Sequence, residues 1–419
     1  MNNGSPLGAH VENVLLVVLI QLAVIIGAAR LFGNLFQRLR QPVVCGEIAA
    51  GLILGPSLFG RFFPELSQRV FSPAVNPVFS IMSQIGLVLL MFLVGLEFEF
   101  GHLRKNRAAA LSVSLAGILL PFTLGFALGA YMHRQLQLAG NWVFFSLFMS
   151  TAMSITAIPI LGRIMIELKL NRSVIGSLTI TAAAIDDAVG WILLALVTAI
   201  AQSNFDPFRF SGMVAAVLAF AAIMVFAVRP LAIQVLHRTL AANRGHLSLN
   251  ALAALLIAIF LAAICTNLIG IFSIFGAFLF GAILYDQHDL VAAIRGRLTD
   301  FVTVFFLPIF FTYTGLRTDI GSMSGAHLWL LCGLVLLAAV VGKLGGCTLA
   351  ARWNGLSWRD SGMIGVMMNT RALMELIVIN IGYDLGIIPR SVFFMLVFMA
   401  IVTTYMTAPI LRRIAPDLP

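Results

Sequence analysis

Two adjacent aspartates, Asp186 and Asp187, lie in the middle of an apolar segment that runs from about residue 173 to 201. A charged side chain at mid-membrane costs about 2.5–3.5 kcal/mol, so such residues are functional candidates. Neighbouring helix residues point about 100° apart, so one carboxylate can face a cavity while the other meets a cation on another helix. The carboxylate in the cavity can bind a proton or offer oxygen ligands to a hard cation such as Na⁺. The pair therefore predicts a site that binds a proton or a metal ion.

Four further charged residues lie inside apolar segments: Glu47, Lys343, Arg371 and Glu375. Lys343 has no carboxylate nearby in its own segment, so we expect a partner on another helix, and Asp186 is the candidate. Arg371 and Glu375 stand at i and i+4 and can pair locally, with structural and gating roles both open. Glu47 lies near the start of a predicted span. A structural salt bridge within the bundle and a functional role are both open for this residue.

Two segments carry polar or helix-breaking residues at mid-depth, residues 150–159 and residues 367–375. Unwound backbone at this depth is tolerated only where it lines a cavity or is packed in protein. Interrupted helices in corresponding positions of two halves are typical of a transporter's binding site. Ordinary packing of Ser and Thr between helices is the alternative for either segment alone.

The composition defines the class of protein that must position these residues. Of 419 residues, 60% are hydrophobic and only 10% are charged, and the mean hydropathy is +1.02. Soluble domains have about 45–50% apolar and about 25% charged residues. The chain is therefore predicted to be an all-α polytopic membrane protein, and neither a soluble enzyme nor a nucleic-acid binder. In such a protein the net charge of +9 does not indicate a nucleic-acid partner. The distribution of Lys and Arg between the loops instead indicates the orientation in the bilayer.

Apolar runs of suitable length predict thirteen membrane spans. Numbered in chain order, they lie near 12–33, 43–60, 76–97, 107–131, 142–163, 173–201, 212–236, 247–269, 271–286, 300–316, 326–350, 361–383 and 391–411. Spans 8 and 9 are separated only by Gly270. The first span lacks the basic start of a cleavable signal peptide, so we expect it to be retained.

The distribution of Lys and Arg predicts the orientation. With the N-terminus outside, the inner loops hold eighteen of these residues and the outer loops hold six. This bias follows the positive-inside rule and predicts that the C-terminus lies in the cytoplasm. We expect the protein in the inner (plasma) membrane of the cell. No loop exceeds about twenty residues, so we expect no ATP-binding domain and transport driven by an ion gradient.

The order of the spans predicts a hidden symmetry. The interrupted spans 5 and 12 are seven apart, so they cross the membrane in opposite directions. We expect two inverted six-helix repeats, residues 1–201 (spans 1–6) and 247–419 (spans 8–13), joined by span 7 in a linker of residues 202–246. The interrupted helices of spans 5 and 12 would then cross each other.

The four cysteines, Cys45, Cys265, Cys332 and Cys347, lie in apolar stretches without CxxC spacing. They are expected to be small buried hydrophobes, with neither a disulfide framework nor a zinc site. No cofactor is expected.

Four segments together resemble the monovalent cation–proton antiporter superfamily, in the branch with bacterial sodium/proton antiporters, Kef-type systems and plant cation/proton exchangers. The segments are Pro42–Ser57, Gln84–Glu97, the helix of Asp186 and Asp187, and Met368–Leu376. The resemblance extends from about residue 12 to 411. The last segment is most similar to the plant exchangers, which leaves K⁺ open beside Na⁺ as the transported ion.

The resemblance implies a fold and a set of roles. It implies a homodimer with a dimerisation domain (spans 1–3 and 8–10) and a mobile core domain (spans 4–6 and 11–13) that moves like an elevator. Asp187 matches the carboxylate that binds the cation or the proton, and Asp186 matches the acid that pairs with a lysine at the place of Lys343. Oxygens near Thr151, Ser154 and Thr156 match the crossing in span 5.

The sequence thus predicts a secondary antiporter that exchanges Na⁺ or K⁺ for H⁺ across the lipid bilayer, with Asp187 as the shared site and Lys343, Arg371 and Glu375 balancing charge. A passive cation channel or a membrane sensor on the same fold is the main alternative. An intramembrane aspartyl protease is disfavoured, because its two acids must lie on separate helices. The protein is not expected to be an enzyme.

Overall fold

The computed structural model describes residues 7–39, 41, 43–71, 76–96, 107–156, 161, 164–165, 170, 173–202, 206–243, 246–371 and 373–415. Within these ranges every regular element is a helix. This agrees with the composition, because a helix satisfies its backbone groups internally in lipid. Glu97, which belongs to one of the family-like segments, and most of the second half of predicted span 5 lie outside the described residues.

The helices of the first half of the chain are α1 (Leu7–Arg38), α2 (Val43–Leu54), α3 (Phe59–Phe62), α4 (Pro64–Val70), α5 (Asn76–Leu96), α6 (Arg107–Gln135), α7 (Trp142–Ser154) and α8 (Val174–Gln202). Next come α9 (Pro207–Ile223), α10 (Arg229–Ala242), α11 (Leu249–Ile269), α12 (Ser273–Ala282), α13 (His288–Phe301) and α14 (Leu307–Arg317). The last are α15 (Ala326–Val340), α16 (Gly346–Trp353), α17 (Trp358–Met368), α18 (Leu373–Asp384) and α19 (Arg390–Ile414).

Eight helices among the described residues are long and apolar enough to cross a membrane, judged by length and composition. They are Glu12–Arg38, Pro77–Leu96, Ala108–Gln135, Val174–Ile200, Pro207–Leu240, Leu249–Ile269, Ala326–Trp353 and Arg390–Ile414. The helices α7 and α12 are apolar but shorter. The protein is therefore a polytopic helical membrane protein, and the total of thirteen spans stays a prediction.

The predicted break between spans 8 and 9 is present. Helix α11 ends at Ile269, and Gly270 follows with φ 100° and ψ 19°. This left-handed conformation is unfavourable for residues with a Cβ, which explains why glycine ends the helix. The break keeps α11 and α12 as separate helices, as the sequence predicts.

In the part of the chain that the structure describes, three π-helical turns each lie between two consecutive α-helices without a loop, at Met224–Val228, Val302–Phe306 and Val341–Gly345. One of them joins α13 to α14, so predicted span 10 is the second part of a longer helix that begins at His288. Helix α13 carries Asp289, Arg295 and Arg297, and these charges explain why a hydropathy argument starts the span later than the helix itself.

The chain divides into two compact units. The first comprises residues 1–90 and 295–321, and the second comprises residues 91–294 and 322–419. In the first unit, α2 approaches α14 closely at two glycines: a Cβ on Gly51 would lie 2.8 Å from Cα of Thr312, and one on Gly315 would lie 2.6 Å from the carbonyl carbon of Gly51. Small residues allow such close backbone contact between membrane helices.

In the second unit, α6 packs against α7 through small residues. A Cβ on Gly125 would lie 2.8 Å from Cα of Ser150, and one on Gly129 would lie 2.7 Å from Cα of Ser146. The helix that contains α15 and α16 contacts α6 as well, since a Cβ on Gly342 would lie 2.9 Å from Cα of Pro121. These contacts bring α6, α7 and the π turn at Val341–Gly345 to one place.

The expectation that all four cysteines are buried is wrong for one of them. Cys45, Cys332 and Cys347 are buried, but Cys265 is exposed on α11, and all four are free thiols. An apolar stretch does not guarantee burial in a membrane protein, because lipid accepts an apolar side chain as readily as the protein interior does.

Candidate functional site

Helix α7 ends inside the second unit. Its last residue is Ser154, and Ile155 continues in an extended conformation with φ −77° and ψ 145°. Thr151, Ser154 and Thr156 are at most 2% exposed. The last carbonyls of a helix lack intrahelical partners, so a buried end such as this one needs other donors.

A second break separates α17, which ends at Met368, from α18, which begins at Leu373. Threonines of α19 contact the backbone and side chains of this break. The hydroxyl of Thr370 donates to the hydroxyl of Thr407 at 3.2 Å, and the backbone N–H of Arg371 donates to the hydroxyl of Thr404 at 3.2 Å. Hydroxyls on α19 therefore replace part of the helical hydrogen bonding lost at the break.

Two buried cations meet the carbonyl end of α7. The guanidinium of Arg371 donates to the carbonyls of Ala152 at 3.3 Å and Met153 at 2.7 Å. The ammonium of Lys343 donates to the carbonyl of Ser154. Positive charge is favourable at this end of a helix, because the helix dipole is negative there. Both side chains are fully buried.

Asp186 is held by three donors from three separate parts of the chain. The ammonium of Lys343 lies 2.5 Å from Oδ2, the hydroxyl of Thr156 donates to Oδ2 at 2.9 Å, and the hydroxyl of Ser114 donates to Oδ1 at 2.5 Å. Asp186 is fully buried. The ion pair between Lys343 and Asp186 that the sequence predicts is present, and hydroxyls complete the environment of the carboxylate.

Asp187 follows on the same helix and points about 100° away from Asp186 around the helix axis. It is 2% exposed. The two carboxylates are therefore both buried, and the ammonium of Lys343 pairs with Asp186. The role of Asp187 as an ion or proton site stays a prediction.

The hydroxyls of Thr151 and Ser154 donate to carbonyls. Thr151 donates to Leu147 at 2.9 Å, and Ser154 donates to Ser150 at 2.7 Å and to Ile118 at 3.3 Å. These bonds use the hydroxyl protons and leave oxygen lone pairs as acceptors. Their assignment as ion ligands stays a prediction.

Thr156 links the two breaks. Besides its bond to Asp186, its hydroxyl lies 3.4 Å from the carbonyl oxygen of Met368, the last residue of α17. The residue that follows the end of α7 thus contacts both the buried carboxylate and the carbonyl end of α17. The two interrupted segments thus touch at Thr156 and Met368, while the crossing of the two helices stays a prediction.

Arg371 and Glu375 form the local pair that their spacing allows. Nη1 of Arg371 lies 3.4 Å from Oε1 of Glu375, and both side chains are fully buried. Among the described residues, Oε2 of Glu375 has no hydrogen-bond partner. The guanidinium therefore divides its donors between one carboxylate oxygen and the carbonyls of α7.

The sequence does not predict some of the residues that contact this site. Ser114 contacts Asp186 across 72 positions of the chain, and a serine within an apolar helix gives no distinctive signal. Gly117, one turn after Ser114 on α6, also lies close to the site. A Cβ on Gly117 would be 2.6 Å from Sγ of Cys347 and 3.7 Å from Oδ2 of Asp186. Only the spacing of small residues along α6 could have suggested that this face is a packing face.

The residues that the structure describes contain no group of three or more His, Cys, Asp or Glu side chains that could hold a metal ion.

A family model for the sodium/hydrogen exchanger transmembrane domain matches residues 22–413. The chain belongs to this exchanger family. The match includes both breaks, the two aspartates and Lys343, so the site described above lies inside the family domain.

Two relatives each match almost the whole chain. The chain is 39% identical over 406 residues to the Na(+)/H(+) antiporter NhaS4 of Synechocystis sp.. This match covers 96% of the chain and 98% of the relative. The chain is 34% identical over 403 residues to Cation/H(+) antiporter 17 of Arabidopsis thaliana, where 96% of this chain corresponds to 49% of the relative. The chain thus spans nearly all of the first relative and about half of the second.

The fold is also found in a solved structure. The sodium proton antiporter MjNhaP1 from Methanocaldococcus jannaschii, at pH 8, superposes with a TM-score of 0.57 over 97% of this exchanger and 99% of that chain. The sequence identity is 14%, so the comparison concerns the fold.

Proposed function

We propose that this exchanger is a secondary antiporter that moves Na⁺, K⁺ or both across the membrane against H⁺, and that cation and proton compete for Asp187. The family match and the relatives named as sodium/proton and cation/proton antiporters support this function.

The buried charge of the site is the observation that carries the proposal. Five ionisable side chains, each at most 2% exposed, belong to it: Asp186, Asp187, Glu375, Lys343 and Arg371. With all five ionised, three carboxylates stand against two cations, and these five side chains together carry one net negative charge. One bound monovalent cation or one proton neutralises it. A net charge is costly in a low-dielectric interior, so the loaded carrier crosses the membrane more easily than the empty one.

The two aspartates have different tasks in this proposal. Asp186 already accepts from Lys343, Thr156 and Ser114, so we assign it to hold the lysine and the ends of the broken segments. Asp187 is assigned to exchange proton and cation. Oxygens of Thr151, Ser154 and Thr156 are proposed to complete the shell of the cation, while Lys343, Arg371 and Glu375 set the charge balance.

The burial of Asp187 requires movement during transport. Since the side chain is 2% exposed, an ion reaches it only after a rearrangement that opens a route. We propose an elevator-type movement of a core domain (spans 4–6 and 11–13) against a dimerisation domain (spans 1–3 and 8–10) in a homodimer. Thirteen spans in two inverted repeats, joined by span 7, would provide the symmetry for inward-facing and outward-facing states. The inner (plasma) membrane, with the N-terminus outside, is the proposed location.

Transport in proteoliposomes tests the function. An acidic interior is prepared, a pH-sensitive dye is quenched, and Na⁺, K⁺ and Li⁺ are added outside in turn, with and without a clamped voltage. We expect at least one cation to restore the fluorescence. Cation entry with no accompanying movement of protons out of the vesicles would indicate a channel and contradict antiport.

A further inference from the structure

Asn369 is a buried amide that none of the roles above uses. It is the first residue after α17 and is 1% exposed. Its backbone N–H donates to the carbonyl of Gly365 at 3.1 Å, so the backbone is fixed at the end of the helix. The side chain therefore occupies a defined place in the break between α17 and α18.

The two ends of this amide are in different environments. Nδ2 lies 3.9 Å from Sδ of Met406 on α19, and a thioether is a weak acceptor. Oδ1 has no hydrogen-bond partner among the residues that the structure describes. Leaving a buried acceptor without a hydrogen bond is unfavourable, so such an atom in a native structure calls for a ligand or another explanation.

The surroundings of Asn369 are rich in oxygen. The carbonyl of Met368, one residue earlier, accepts a long 3.4 Å contact from the hydroxyl of Thr156, and that hydroxyl also contacts Asp186. Met368 ends α17, and the carbonyl end of a half-helix carries partial negative charge. Hard cations prefer neutral and charged oxygen ligands of this kind.

We propose that the side-chain oxygen of Asn369 is a ligand of the transported cation, acting with the carbonyl end of α17. The inference rests on the proposed antiport function and adds a residue that favours the cation over the proton. A carboxylate binds both ions, whereas an amide oxygen coordinates a cation and is not protonated at neutral pH. Asn369 therefore strengthens cation binding and leaves proton binding at Asp187 unchanged.

Asn369→Leu tests the proposal, because leucine has a similar size and no oxygen. We expect the Na⁺ or K⁺ concentration for half-maximal exchange to rise about tenfold, with a changed order among Na⁺, K⁺ and Li⁺. The pH midpoint of proton binding, measured on purified protein without these cations, should stay at the wild-type value. This combination separates a cation ligand from a structural residue, whose loss would affect both measurements.

Asn380→Leu is the matched control. Asn380 lies on α18, is 5% exposed and donates to the carbonyl of Leu376 at 2.9 Å. Its substitution should leave cation affinity and ion order unchanged. Asn369→Asp keeps an oxygen at this position and tests the proposal if Asn369→Leu folds poorly. We expect Asn369→Asp to retain cation affinity and to acquire a new pH dependence.

Two results would overturn the inference. One is wild-type cation affinity and ion order in Asn369→Leu; the other is a loss of cation affinity in Asn369→Asp as large as in Asn369→Leu. If the wild type exchanges ions and Asp187→Asn does not, either result refutes the role of Asn369 alone. If the wild type shows no cation-dependent proton movement, the proposed function itself fails.

Discussion

Lys343 and Asp186 form an ion pair in which neither side chain is exposed. Each of the two also has other hydrogen-bond partners. The ammonium contacts the carboxylate at 2.5 Å and the carbonyl of Ser154, and both side chains are fully buried. A buried pair of this kind is costly to break, because the remaining charge is left without compensation. The pair also joins the π turn at Val341–Gly345 to α8.

Lys343→Met tests this coupling. We expect the variant to lose about 3–5 kcal/mol of stability, since the carboxylate of Asp186 then lacks its counter-charge. The melting temperature in detergent measures the loss. The double variant Asp186→Asn/Lys343→Met removes both charges and should melt at a higher temperature than Lys343→Met. A single variant that melts like the wild type would contradict the importance of the pair.

Sequence reasoning predicts part of this site at the residue scale. A lone ammonium in an apolar segment demands a carboxylate, so Asp186 could be chosen as the partner of Lys343. The spacing of Arg371 and Glu375 likewise predicts their contact. The bonds from Arg371 to the carbonyls of α7 could not be predicted, because they join residues more than 200 positions apart.

At the scale of elements, the site depends on helices that end early. Helix α7 ends at Ser154 and α17 ends at Met368, and buried carbonyls near both ends accept hydrogen bonds from side chains elsewhere in the unit. Helix α6 supports this arrangement, because its Gly125 and Gly129 let α7 approach closely and its Pro121 packs against Gly342 of the π turn.

Gly117→Ala tests the packing of α6. The new Cβ would lie 2.6 Å from Sγ of Cys347 and near the side chains of Asp186 and Lys343. We expect a loss of about 1–3 kcal/mol, measured as a lower melting temperature. Adding Cys347→Ala should recover part of it.

Gly333→Ala on α15 is the control for this substitution, since a Cβ there meets nothing within 4 Å. It should be neutral or slightly stabilising, because alanine favours a helix over glycine. Equal effects of the two alanine substitutions would show that close packing at Gly117 does not matter.

The elements themselves were predictable to different degrees. Long apolar helices such as α1, α8 and α19 follow from hydropathy alone, and Gly270 marks the end of α11 by its backbone freedom. The start of α13 at His288 did not follow, because its charges resemble those of a loop. The exact end of α7 depends on tertiary contacts with Arg371 and Lys343 rather than on its own sequence.

At the scale of the whole molecule, the proposed orientation places the C-terminus in the cytoplasm. A fluorescent protein fused after Pro419 should fluoresce in bacterial cells, and alkaline phosphatase at the same point should be inactive, because its disulfides form only outside the cytoplasm. The same reporters inserted in the predicted outer loop between residues 317 and 325 should give the opposite result. Active phosphatase after Pro419 would contradict the orientation.

Competition between a cation and a proton for Asp187 is the central claim, and proton release from purified protein tests it most directly. Detergent-solubilised protein in weakly buffered solution receives Na⁺ or K⁺ near the pH at which exchange is half-maximal, and the released protons are measured. We expect the wild type to release up to about one proton for each cation bound and folded Asp187→Asn to release none. Equal release from Asp187→Asn and the wild type would contradict the claim.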